Sequence, residues 1–229
     1  MGLLKWLFLL GLVLTSFLNP YLPQAWVWEN GPLEWLQVAI LAAGMVLNYI
    51  WWKEIRSVNH LSTARFLAWT VPIWPLLIVR ELSCGRVFYL RDFHPYHGPA
   101  YLSLTEFAYG WTVHPLFAVA IIAWLYGVIK YSLYKIPYKL LKKGRFPVAE
   151  LAMTLFASVA ATIGEKKLHL QTTEESYETF AYLGLILIAN GIKIALQKET
   201  LELIPEQKNA NMPGLLPKID TQVSRVNDG

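Results

Sequence analysis

Residues 78–99 read IVRELSCGRVFYLRDFHPYHGP and hold three arginines, two carboxylates, two histidines and the only cysteine of the chain. Asp92, His94 and His97 are metal-ligand residue types within one short stretch. Two histidines with one or two carboxylates suit zinc with a position left open for water. His169, in the later stretch GEKKLH, is a further candidate ligand, and Glu165 lies one helical turn before it, on the same face if the helix runs that far. Zinc held in this way would make a metal-assisted hydrolase. Neither spacing matches an established zinc signature such as H-E-x-x-H, so zinc rests on ligand type alone. Without a metal, Glu81, Asp92, His94 and His97 are the candidate acid–base groups, and Arg86 or Arg91 would hold an anionic substrate.

A second chemistry is binding without reaction. Arg80 and Glu81 directly follow the apolar run LLIV, and ionisable groups beside such a run are costly unless they pair or line a wet cavity. Adjacent helical residues point about 100° apart, so each is expected to reach a different helix. In TTEESYE, Thr172 and Glu175 fit a helix-capping box. Glu178 lies one turn after Glu174, where two like charges repel unless one is protonated or meets a cation. Arg80, Arg86 and Arg91 are the candidate cations. Arg80, Glu81, Arg86, Arg91, Glu165, His169, Glu174 and Glu178 are therefore expected to form a network across the third, fifth and sixth helices. It would bind an anionic lipid headgroup or a polar envelope component.

The elements that position these residues are apolar blocks. Hydrophobic residues make up 55% of the 229, against 16% charged, and they come in long runs rather than at amphipathic spacing. A spanning helix needs about 20 largely apolar residues. Six segments qualify approximately, at 3–18, 33–52, 64–79, 114–134, 148–163 and 177–196. The expected fold class is all-α, a polytopic transmembrane bundle of six helices over residues 1–198, followed by a largely disordered cytoplasmic tail at 199–229. The first segment resembles a secretory signal, but no small-x-small cleavage pattern follows it, so it is read as a retained helix. Pro72 and Pro75 in VPIWP are expected to kink or break the third segment. The fifth segment carries Glu150 near its start, read as a partner of the helix dipole.

Sidedness follows from the cations. One set of connections holds Lys5, Lys53, Arg56, Arg65, the lysine-rich stretch 130–145, Lys193 and Lys198; the other holds Arg80, Arg86, Arg91, Lys166 and Lys167. The positive-inside rule places the first set, and both termini, in the cytoplasm. The opposite surface then receives nine of the sixteen carboxylates but only five of the twenty cations, so the two chemistries above share one face. The stretch 135–145 alternates lysine with Tyr, Leu and Ile and reads as an anchor on anionic lipids, and the loop NPYLPQAWVWENGP as an interfacial aromatic belt. Topology accounts for the basic balance, so no nucleic acid is expected as partner. The bilayer is the expected partner, with other membrane proteins possible in a complex, and a bacterial cytoplasmic membrane is the expected location.

One cysteine excludes an intramolecular disulfide and a Cys-rich metal site. The histidine spacing of the alkaline ceramidases, the signature of the lipid phosphatases, a Gly-x-Ser-x-Gly element and deep histidine pairs for haem are all missing. The expected function is binding of a lipid headgroup or envelope component, alone or as subunit of a membrane complex. A membrane-embedded hydrolase or transferase on a lipid-linked substrate is the alternative. A small transporter is third, because internal repeats are missing and Asn48, Thr154, Ser158 and Asn190 are the polar residues at mid-segment depth.

Overall fold

The computed structural model describes residues 2–57, 61–94, 98–164 and 171–210. The chain is mostly helical: α1 (Gly2–Leu18), α2 (Pro32–Ser57), α3 (Leu61–Thr70), α4 (Ile73–Glu81), α5 (Gly110–Lys130), α6 (Lys135–Lys142), α7 (Val148–Ile163) and α8 (Gln171–Ala210). A small antiparallel hairpin, β1 (Leu90–His94) and β2 (Gly98–Tyr101), departs from the expected all-α pattern between α4 and α5. Among the described residues, Pro32–Arg56, Gly110–Lys130 and Gln171–Glu199 are long and apolar enough to cross a membrane, and α7 is apolar but shorter. The last helix does not stop at residue 198 but continues to Ala210.

Packing between helices sets their relative directions. Gly164 lies against Glu174, Gly184 against Thr154 and Gly191 against Pro147, so α7 and α8 run antiparallel. The contact is close because α7 presents small residues, Ala157 and Ala161, both buried. On the other flank of α8, Gln37 meets Glu175 and Lys193 meets Glu54, so α2 runs parallel to α8. Phe8 packs on Phe180, Ser16 hydrogen-bonds Tyr177 and Lys5 pairs with Glu150, which sets α1 antiparallel to α8. Counting α3 and α4 as one unit, the six apolar segments alternate in direction along the chain.

The break predicted at VPIWP is present: α3 ends at Thr70 and α4 begins at Ile73. Pro72 has no N–H to donate, and its ring cannot follow a helical turn. Asn48 of α2, fully buried, donates from Nδ2 to Thr70 Oγ1 at 2.9 Å, and Thr70 in turn donates to the Leu67 carbonyl at 2.8 Å. The mid-segment polar residue thus stitches the broken helix to its neighbour. Gly44 of α2 makes room for the Trp74 ring, which would lie 2.3 Å from a Cβ there.

Helix α5 stands apart from this bundle. Little of its surface is buried, and Leu116, Val119, Ile122 and Ile129 are exposed along it. It is tied at one end, where Trp124 Nε1 donates to the Trp69 carbonyl at 2.7 Å and Gly127 receives the Trp69 ring. Its other end connects through a short turn capped by Ser103, whose hydroxyl accepts from Thr105 N while Glu106 reaches back to Ser103 N at 2.6 Å. Helix α6 is amphipathic, as its alternation implies. Leu140 is fully buried among Ile192, Ala195 and Leu196 of α8, while Lys139 and the following Lys143 pair with Glu199.

Candidate functional site

The sequence from α4 to β1 bends sharply at its centre. Ser83, Cys84 and Gly85 all adopt positive φ, at 45°, 56° and 90°. For Ser and Cys this left-handed backbone is unfavourable by roughly 1–2 kcal/mol each. Gly85 N donates to the Leu82 carbonyl at 2.7 Å and holds the bend closed. Its effect is to return the chain so that Arg80 and Arg86 line one hollow.

Arg80, at the end of α4, donates from Nη2 to Glu178 Oε1 of α8 at 2.6 Å. Glu81 is buried and accepts a hydrogen bond from the Tyr182 hydroxyl, also on α8. The expectation that neighbouring residues reach different helices is therefore corrected: Glu178 and Tyr182 are one turn apart on α8 and meet both. Arg80 is the cation that relieves Glu178. Beside them Gln37 of α2, fully buried, donates from Nε2 to the Glu175 carboxylate and to its carbonyl, each at 2.9 Å. Glu175 thus turns toward α2 rather than closing a capping box with Thr172. Glu34 accepts from the Asn30 backbone at 2.7 Å and shares this end of the bundle, within electrostatic reach of Glu81, Glu174 and Glu178.

Arg86 pairs with Glu29 in the first connection, and Asn30 Nδ2 donates to the Val87 carbonyl at 3.2 Å, so the 28–31 loop is clamped to the bend. Arg91 sits at an irregularity of the hairpin and pairs with Glu106 at 3.2 Å. Asp92 and His94 lie 3.6 Å apart on an exposed strand, well separated in character from buried Glu81. Among the described residues no group of three His, Cys, Asp or Glu converges as a metal site. His97, Glu165 and His169 lie outside the described residues. The hairpin rests on Trp28, whose indole stacks edge-on with Phe93 and would lie 2.5 Å from a Cβ at Gly98.

The splay between α4 and α5 leaves a groove. Its apolar part, about 320 Å³, is lined by Ile73, Leu76, Leu77, Phe117, Ile121 and Trp124. A second hollow of about 340 Å³ has a largely apolar wall, formed in part by Leu104 and Val113, into which Ser83, Cys84, Arg86 and His114 bring polar groups. Arg80 and Phe117 line both, so the two meet at the guanidinium. Burial pushes the Cys84 thiol up from its ordinary range.

No protein-family model, curated protein or solved structure matches this chain.

The residues that reasoning from sequence missed are those that complete pairs. Glu29, Gln37 and Tyr182 supply the partners of Arg86, Glu175 and Glu81. A signal was present: Glu34 and Gln37 on α2, and Glu175, Glu178 and Tyr182 on α8, recur at three- and four-residue spacing, the mark of one polar helix face. Glu150, expected to partner the helix dipole, is buried and paired with Lys5 Nζ at 2.7 Å.

Proposed function

We propose that this chain is an integral membrane protein of six spans with both termini cytoplasmic, and that its α4–α5 groove holds an anionic lipid or lipid-linked phosphate of the outer leaflet. The observation that carries the reading is Arg80 at the seam between an apolar groove and a hollow that also contains the basic side chains Arg86 and His114. An acyl chain suits the first and a phosphate the second. A guanidinium has five N–H donors in a fork that matches phosphate oxygens, so the Nη2 pair with Glu178 and the looser Nε contact with Glu81 still leave Nη donors for a ligand. The poorly buried α5 gives a lateral entry from lipid.

The span count is supported by the alternation of helix directions and by charge layering. From Glu178 to Lys198 along α8 the rise is about 30 Å, the thickness of a bilayer's hydrocarbon core. Arg80, Glu81 and Glu34 cluster at the first level, and Lys5, Lys193 and Lys139 at the second. With 17 and 16 residues, α1 and α7 rise about 25 Å and complete their crossings with flanking residues.

The test is lipid retention. The protein, purified in mild detergent from its own membrane, is expected to carry anionic lipid visible by native mass spectrometry, and in Arg80→Gln the occupancy of one bound lipid is expected to fall by about tenfold, one charged hydrogen bond's worth. Bound lipid should also slow labelling of Cys84 by a maleimide. Equal retention by the wild type and Arg80→Gln would overturn the assignment.

A further inference from the structure

We propose that a second ligand site lies at the opposite end of the bundle, in the cleft between α1, α7 and α8. It would take a phosphate group that carries a neighbouring hydrogen-bond donor, an ammonium or a hydroxyl. The cleft encloses about 490 Å³, and its polar lining is Lys5, Arg145, Glu150 and Lys198. Lys5, Arg145 and Lys198 bring three basic side chains to a lining that holds one carboxylate, so the cleft wall is basic. Such a wall suits a phosphate.

Glu150 specifies more than charge. It is 2% exposed, Oε1 pairs with Lys5, and Oε2 has no hydrogen-bond partner among the described residues. A buried carboxylate oxygen without a donor is unfavourable, and native structures leave few such atoms. An ionised carboxylate only accepts hydrogen bonds, so the missing group must be a donor. The protein's own cations on the cleft suit the phosphate, and the ligand's ammonium or hydroxyl suits Oε2. A headgroup with both, such as phosphoethanolamine or phosphoglycerol, satisfies the site; phosphocholine, which has neither N–H nor O–H, satisfies half of it.

The entrance fits a headgroup. Gly144, with φ of 66°, follows α6 and has no atom within 4 Å of the position its Cβ would take, so the backbone there is open to approach. Pro147 packs against Gly191 beneath it, closing the cleft toward the bundle. Helix α6 runs into Gly144 through Lys143, and its lysines suit an anionic membrane surface. The same chemistry comes from a membrane phospholipid or from a soluble phosphate ester. None of this rests on the α4–α5 groove.

The full chain would be placed in phosphatidylcholine nanodiscs doped with phosphatidylethanolamine or phosphatidylglycerol, and separately titrated with phosphoethanolamine and glycerol 3-phosphate. Retained ligand would be counted by native mass spectrometry. The donor-bearing headgroups should be retained over the phosphatidylcholine of the disc, whose trimethylammonium has no N–H, and Arg145→Gln with Lys198→Gln should cut retention by about tenfold. Glu150→Gln should abolish the preference for donor-bearing headgroups. Arg145 and Lys198 are not fully buried, so their replacement tests the site even where Glu150→Gln fails to fold. Arg80→Gln should leave retention in this cleft unchanged, which separates it from the groove. Binding of the soluble esters with equal affinity would assign the site to a soluble phosphate; binding only in nanodiscs would assign it to lipid. Retention that Arg145→Gln and Lys198→Gln do not alter, or no binding of any probe, would overturn the proposal.

Discussion

The Arg80–Glu178 pair sets a measurable coupling between α4 and α8. Their contact is 2.6 Å, with the arginine side chain 54% exposed and the glutamate 22% exposed. Unit charges about 4 Å apart attract by about 4 kcal/mol at an effective dielectric constant near 20. More than half of the guanidinium is open to solvent, which screens the attraction, while the glutamate is mostly covered. The expected coupling is about 1–2 kcal/mol, above the exposed-pair range and below that of a fully buried pair. A double-mutant cycle of Arg80→Gln, Glu178→Gln and the double variant measures it. Reversible unfolding in mixed micelles of mild detergent and SDS, followed by the fluorescence of the ten tryptophans, gives the free energies. Arg80→Gln should cost more than Glu178→Gln, because Arg80 Nε also lies 3.6 Å from Glu81. A coupling below about 0.3 kcal/mol, the ordinary error of additivity, would refute the pairing as a structural tie.

Two further outcomes test the packing and the sidedness. Gly44→Ala would gain about 1 kcal/mol from helix propensity alone, yet its Cβ would meet the Trp74 ring at 2.3 Å, so a net loss of about 1–3 kcal/mol is expected; a higher melting temperature would refute the α2–α4 contact. In a Cys84→Ser background, a membrane-impermeant maleimide should label Phe93→Cys on intact cells and Lys142→Cys only after permeabilisation; labelling of both from the same side would refute the proposed topology.

The elements were legible in the sequence because lipid-facing surface must be apolar whatever lies behind it. The runs at 3–18 and 148–163 match α1 and α7 closely, and the break at Pro72 follows from a missing donor and a ring clash. Boundaries were less legible at polar ends. The segment starting at 114 begins at Gly110, because the preceding turn passes its Leu104 carbonyl so close to Gly110 that no side chain fits. The capping-box pattern occurs at both Thr172–Glu175 and Ser103–Glu106. It forms in the second, while in the first Gln37 takes the carboxylate.

What the sequence by itself determined, then, is the apolar segments, their interruption at Pro72 and the gathering of carboxylates near one set of their ends. Those depend on solvation, which each residue carries with it. Tertiary structure decided the pairs: Arg80 with Glu178, Glu81 with Tyr182, Arg86 with Glu29, Lys5 with Glu150. A residue's spacing on its own helix fixes its direction but not its neighbour. That neighbour depends on how close two helices approach, and here the small residues Gly44, Ala157 and Gly184 set the approach.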